Sequence, residues 1–240
     1  MEARKKVTFK ILRFDPDEGA EAYFDRYEVP VREGQTVLEG IFYILDQLDG
    51  SIAFRYSCRG AVCGSCAMYI NGAYRLACGT QIASLNSDVV SIAPLPNMPV
   101  IKDLVVDMSQ FFENYEKVRP YLISKTPPPK KEWRQSPEQR KEFDEMTNCI
   151  LCASCYSACP MVWTDKRYIG PAALTKAYRF VADSRDEGTK ERLAIVADEH
   201  GVWRCHTIFN CAEACPKKIN GTYSIQQLKK RAMLAKLKFW

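Results

Sequence analysis

Histidine is scarce: His200 and His206 are the only two in 240 residues. No glycine-rich dinucleotide fingerprint is present either. With so little imidazole and no such loop, the chain offers neither a hydrolytic site nor a hydride-transfer site. Long apolar runs are also missing. No uncharged stretch approaches the roughly 18–20 residues a membrane helix needs, so any membrane contact must be made by docking onto something else. The opening Met1-Glu2-Ala3-Arg4-Lys5-Lys6-Val7 has no apolar run behind its charges, which argues against a secretory signal. A complete set of disulfides is excluded by parity, because the cysteines number eleven. Without a secretory signal the expected compartment is reducing, which leaves metal or cluster ligation as the leading use of the thiols.

What is present suits an ordinary globular chain. Hydrophobic residues make up 47% and charged residues 26%, and the length leaves room for two domains. The formal charge of +5 counts every cysteine as neutral. Thiolates around three clusters would bring the balance to about −1, so the basic residues are weak support for a nucleic-acid partner, and none is expected. The basic runs at 125–141 and 229–238 read as a solvated linker and a solvated helix face.

The first hundred residues predict a small α/β module. Val7 to Phe14 alternates apolar and polar side chains, Asp15 to Gly19 marks a turn, and Ala22 to Val29 returns as a second strand. Thr36 predicts a helix N-cap with Glu39 as its capping-box partner, and Gly50 the stop. A cysteine-bearing loop, a hairpin at Asn71-Gly72 and a strand near Val89 to Ile92 follow. Leu104, Met108, Phe111 and Phe112 predict a helix over 103–115. Ser136, Pro137 and Glu138 suit another helix start, and Pro171–Ala182, Lys190–Ala197 and Ser224–Leu237 carry the clearest helical patterns. The expected organisation is α+β: a domain over 1–102, a linker over 103–136 containing the stiff Thr126-Pro127-Pro128-Pro129, and a helical domain over 137–240.

Spacing sorts the cysteines into three sets. Cys58, Cys63, Cys66 and Cys78 run C-x4-C-x2-C-x11-C, the plant-type ferredoxin arrangement that suits [2Fe–2S], with Gly60 and Gly64 letting the backbone bend around it. Zinc is the rival occupant, since C-x2-C alone would serve it. Cys149, Cys152, Cys155 and Cys159 with Pro160 match the bacterial ferredoxin run C-x2-C-x2-C-x3-C-P without a mismatch. Cys205, Cys211 and Cys215 with Pro216 fit the same template, except that its second position falls on Ile208. An aliphatic side chain cannot ligate iron, which implies a [3Fe–4S] cluster. The fourth cysteine of such runs crosses to the other cluster. Cys149, Cys152, Cys155 and Cys215 then serve [4Fe–4S], while Cys159, Cys205 and Cys211 serve [3Fe–4S]. Every cysteine is used once.

These segments resemble the iron–sulfur subunit of succinate dehydrogenase and fumarate reductase over essentially the whole chain. The likeness includes Cys58 to Met68, Tyr168 to Leu174, Ala182 to Asp186 and Arg204 to Cys211. It implies a β-grasp ferredoxin-like N-terminal domain and a bacterial-ferredoxin-like all-α C-terminal one. It implies two kinds of partner: an FAD-carrying flavoprotein where succinate and fumarate interconvert, and a cytochrome b-type membrane anchor that often holds haem b. Electrons would run from FAD through the three clusters to quinone, or back. The implied location is peripheral, on the cytoplasmic face of a prokaryotic inner membrane, no transit peptide being seen. Pro160, Trp163, His206 and Ile208 match positions near the family's quinone site. A second tryptophan often follows the one matching Trp163; Thr164 stands here, pointing to an altered quinone site or a different anchor type. The competing readings are an iron–sulfur subunit of a thiol- or heterodisulfide-linked reductase, and a cluster-bearing redox sensor or nucleic-acid-binding module.

Overall fold

The computed structural model describes residues 6–17, 19 and 21–237. Glu18 of the predicted turn, the first five residues and Lys238 of the basic run lie outside them. The chain divides into two compact units. One comprises the chain up to Met108 together with Ile150–Ser157; the other comprises Ser109–Cys149 and the chain from Ala158 on.

The first unit is a five-stranded mixed sheet with one helix against it. Strand β1 (Lys6–Arg13) buries Val7, Phe9, Ile11 and Arg13 on one face, as its alternation requires. Strand β2 (Tyr23–Pro30) pairs antiparallel with it, Phe9 opposite Tyr27. Helix α1 (Val37–Gln47) opens on a complete capping box: Thr36 Oγ1 accepts from Glu39 N at 3.2 Å, and Glu39 Oε2 accepts from Thr36 N at 2.8 Å. Its apolar face, Val37, Leu38, Ile41 and Ile44, is buried at about 1.5–3 kcal/mol for each large side chain. A β-carbon on Gly40 would lie 2.3 Å from the Phe9 ring, so the glycine sets how closely the helix lies on the sheet. The helix ends before Leu48, which is half exposed.

Strands β3 (Ala67–Ile70) and β4 (Ala73–Leu76) form the hairpin predicted at Asn71-Gly72, both turn residues having positive φ (45° and 74°). Strand β5 (Val89–Ala93) lies parallel to β1, Phe9 beside Val90, and completes the order β2-β1-β5-β3-β4, a β-grasp sheet. One expectation holds only in part. Residues 100–106 form a second hairpin, β6 (Val100–Lys102) and β7 (Val105–Val106), and the helix α2 begins only at Ser109, running to Lys117. Asp103 is the cause. Its carboxylate, 2% exposed, accepts from Arg13 Nε (3.1 Å), Phe14 N (3.0 Å) and Ala53 N (2.8 Å), and its φ of 46° makes the turn. Residues 150–157 complete the unit: Ser157 Oγ donates to the Pro96 carbonyl, and Asn97 Nδ2 donates to the Ser157 carbonyl at 3.5 Å.

The second unit is helical. Ser136 caps the short helix Pro137–Lys141 in a capping box with Gln139. Helix α3 (Pro171–Val181) starts on a proline and is buried along most of its length. Helices α4 (Thr189–Val196) and α5 (Gly221–Leu237) pack against it. Arg192 of α4 is fully buried. It pairs with Asp186, donates to the carbonyls of Arg119 (3.0 Å) and Tyr121 (2.5 Å), and lies 4.7 Å from the Phe180 ring. No described helix is long and apolar enough to cross a membrane.

Candidate metal centres

Cys58, Cys63 and Cys66 come from one loop of the first unit, and the hairpin delivers the fourth thiol. Pairing of Ala67 with Leu76 brings Ala77 N to the Cys66 carbonyl (3.0 Å), so Cys78 arrives beside Cys66 with the sulfurs 3.2 Å apart. Arg59, Ala61 and Gly64 all take positive φ, turning amides inward. Gly60 N, Val62 N and Cys63 N approach Cys58 Sγ at 3.3–3.4 Å, Cys58 N approaches Cys63 Sγ at 3.4 Å, and Ala61 N approaches Cys78 Sγ at 3.3 Å. Such a nest favours negative sulfur. The Ser65 hydroxyl and the Cys58 amide draw the Cys63 thiol down to about 6. Burial pushes Cys66 up to about 12, so its ionisation needs a cation beside it. The residues thus fit a cationic iron core held by four thiolates. Sequence reasoning missed one neighbour: the Arg59 guanidinium stacks over Phe42 (4.7 Å) and Tyr56 (5.5 Å). Only the fold brings these three together.

The glycine expected to ease the loop has a sharper role. Gly64 has φ of 78°, and a β-carbon there would meet the Ile150 carbonyl oxygen at 2.6 Å and Cys152 Cβ at 2.9 Å. Of the next four expected ligands, Cys152 and Cys155 belong to this first unit, and Cys149 and Cys215 to the second. Leu151 and Ala153 flank Cys152 in left-handed conformations (φ 54° and 63°), and Cys152 Sγ lies 3.4 Å from Ser154 Oγ. In the second unit, Ile219 N approaches Cys215 Sγ at 3.3 Å.

Cys159, Cys205 and Cys211 lie together within the second unit. They line a small recess, shared with Tyr168, His206 and Ile208. Cys159 precedes the helical turn Pro160–Thr164, Cys205 follows a 3-10 turn at Val202–Arg204, and Cys211 sits in the turn Asn210–Glu213. Thr207 and Phe209 take φ of 60° and 69° on either side of Ile208. Burial pushes the thiols of Cys159 and Cys211 up, so here too ionisation calls for a cation. Three cysteine thiols border the space, with Ile208 where a fourth would be expected, which fits a cluster with three protein ligands. Pro160 borders the same recess. Trp163 shares its helical turn but does not line the recess, and is 42% exposed. Thr164 Oγ1 accepts from Arg204 Nη2 at 3.3 Å.

Comparison with known proteins adds the family. Residues 8–113 match the 2Fe-2S iron-sulfur cluster binding domain, which answers the zinc alternative for the first set. Residues 141–216 match the 4Fe-4S dicluster domain. The succinate dehydrogenase iron-sulfur subunit of Paracoccus denitrificans is 48% identical over 223 residues, covering 92% of this chain and 86% of its own. That of Coxiella burnetii is 44% identical over 226 residues, covering 93% and 95%. Among solved structures, a chain of the Mycobacterium smegmatis Sdh1 complex in the apo form superposes with a TM-score of 0.83 at 29% identity, covering 98% of each chain. An α+β chain with these two cluster domains and these relatives belongs to the succinate dehydrogenase iron–sulfur subunits.

Proposed function

We propose that this chain is the electron-conducting subunit of a membrane-bound succinate:quinone oxidoreductase, spanning the interval between the FAD of a flavoprotein partner and a quinone at a cytochrome b-type membrane anchor. Cys58, Cys63, Cys66 and Cys78 hold [2Fe–2S]; Cys149, Cys152, Cys155 and Cys215 hold [4Fe–4S]; Cys159, Cys205 and Cys211 hold [3Fe–4S]. When bound, these groups supply one-electron carriers of unlike potential. The protein's part is to hold them, shield them and set their surroundings. The amide nest around Cys58 and Cys63 favours thiolate, and the fold keeps Cys66 and Cys78 buried.

The observation that carries the reading is Ile208, bordering one recess with the three cysteines of its set. A terminal cluster lacking a fourth thiolate differs from its neighbour, as the end of a relay should. Trp163, Ile208 and Phe209, each 42–49% exposed, offer apolar surface beside that recess for an anchor, consistent with peripheral attachment at the cytoplasmic face. The relatives' names favour succinate over a thiol-linked substrate.

The test is isolation of the native complex, with iron analysis, electron paramagnetic resonance and succinate:quinone reductase assay. About nine irons per chain, a trinuclear signal and a co-purifying flavin subunit are expected. A complex with no trinuclear signal, or one inactive with succinate, would overturn the proposal.

A further inference from the structure

Two buried hydroxyl-bearing residues, Thr222 and Tyr168, line the recess of the third cysteine set. Thr222, 2% exposed at the start of α5, places Oγ1 3.4 Å from Cys211 Sγ. A cluster-bound cysteine is a thiolate with no proton to give, so in the loaded protein the threonine is the donor. The same end of the helix abuts the sulfur: a β-carbon on Gly221 would lie 3.5 Å from Cys211 Sγ. Tyr168, 1% exposed, lines the same recess as Cys205, and burial beside the cysteines holds its phenol pKa well above the ordinary value, so it stays a donor. Its backbone is held from both sides. Tyr168 N donates to the Asp165 carbonyl (3.1 Å), the Tyr168 carbonyl accepts from the buried Asn114 Nδ2 (3.2 Å), and Ile169 N donates to the His200 carbonyl (2.9 Å).

We propose that Thr222 and Tyr168 are positioning residues that raise the reduction potential of the terminal cluster by donating hydrogen bonds to Cys211 and Cys205. The inference rests on the three-thiolate reading given above. Reduction adds negative charge to the cluster and its sulfurs. A hydrogen bond to a ligand sulfur therefore stabilises the reduced state more than the oxidised one, and hydrogen bonding to sulfur is one of the protein's levers on potential. Neither hydroxyl needs to move a proton.

The experiment is a potentiometric titration of the trinuclear signal in the intact complex carrying Tyr168→Phe, Thr222→Val or Thr222→Ser. The first two remove a hydroxyl at nearly constant volume; the third keeps one. Tyr168→Phe and Thr222→Val are each expected to disfavour reduction roughly tenfold, a fall of ~59 mV for one electron. Thr222→Ser should stay near the parent, and the [2Fe–2S] potential should not move in any of them. If Thr222→Val fails to assemble, Tyr168→Phe carries the same test. Parent potentials in the assembled hydroxyl-free variants overturn the inference. Absence of the trinuclear signal from the parent complex overturns the underlying reading instead, so the two failures are distinct.

Discussion

Gly64 and Cys152 are so close that the glycine has no room for a side chain: a β-carbon would stand 2.9 Å from Cys152 Cβ. The loop that carries Cys63 and Cys66 thus packs directly on the loop that carries Cys152.

Gly64→Ala should therefore destabilise the protein, with a left-handed backbone costing about 1–3 kcal/mol before the clash is counted. Denaturant unfolding of the assembled subunit would measure the loss, and the [2Fe–2S] resonance should weaken or broaden. An unchanged midpoint would mean that the two loops can separate without penalty.

On the proposed ligand assignment, Ile208→Cys places a thiol in the recess where the ferredoxin template has its second cysteine. The expected outcome is conversion of [3Fe–4S] towards [4Fe–4S], with loss of the oxidised trinuclear resonance and a lower terminal potential. Persistence of that resonance at full strength would refute the assignment of position.

Arg192 and Asp186 form a fully buried pair. Arg192→Leu leaves a buried carboxylate without its cation and the carbonyls of Arg119 and Tyr121 without their donor, so unfolding should become easier by about 3–5 kcal/mol. Chemical denaturation would show it. A cost below ~1 kcal/mol would mean that water replaces the guanidinium.

Acid should loosen the β-grasp unit through Asp49. Burial works against that carboxylate, but hydrogen bonds from Ser51, Tyr27 and Arg13 outweigh it and hold its pKa well below the usual range. A depressed folded pKa contributes stability that is fully present above the unfolded value of about 3.9. The contribution is lost as pH falls through the folded value. Unfolding curves measured downward from pH 5 should show this loss, and Asp49→Asn should flatten it.

Much of the architecture was legible because it is written in short-range chemistry. Thr36 with Glu39, the helix start at Pro137 and Glu138, and Asn71-Gly72 each determine a local geometry from neighbours in the chain, and all three appear as read. The helix expected over 103–115 is present from Ser109 but its first turns are a hairpin instead, because Asp103 takes its partners from Arg13, Phe14 and Ala53, far away in sequence. The same divide runs through the sites. Cysteine spacing is a local signal and named the three sets. The Arg59 stack on Phe42, the Thr222 hydroxyl at Cys211 and the Gly64 contact depend on long-range packing that periodicity does not report.

The return of residues 150–157 to the first unit also bears on synthesis. A ribosome delivers Met108 well before Ile150, and at ordinary elongation rates the delay is roughly 2–8 seconds. During that interval the nascent β-grasp sheet lacks the segment that covers Gly64 and ties to Pro96 and Asn97. Its maturation is therefore deferred until part of the helical half has emerged, and a chain cut between the halves would release an N-terminal fragment that is short of its own final piece.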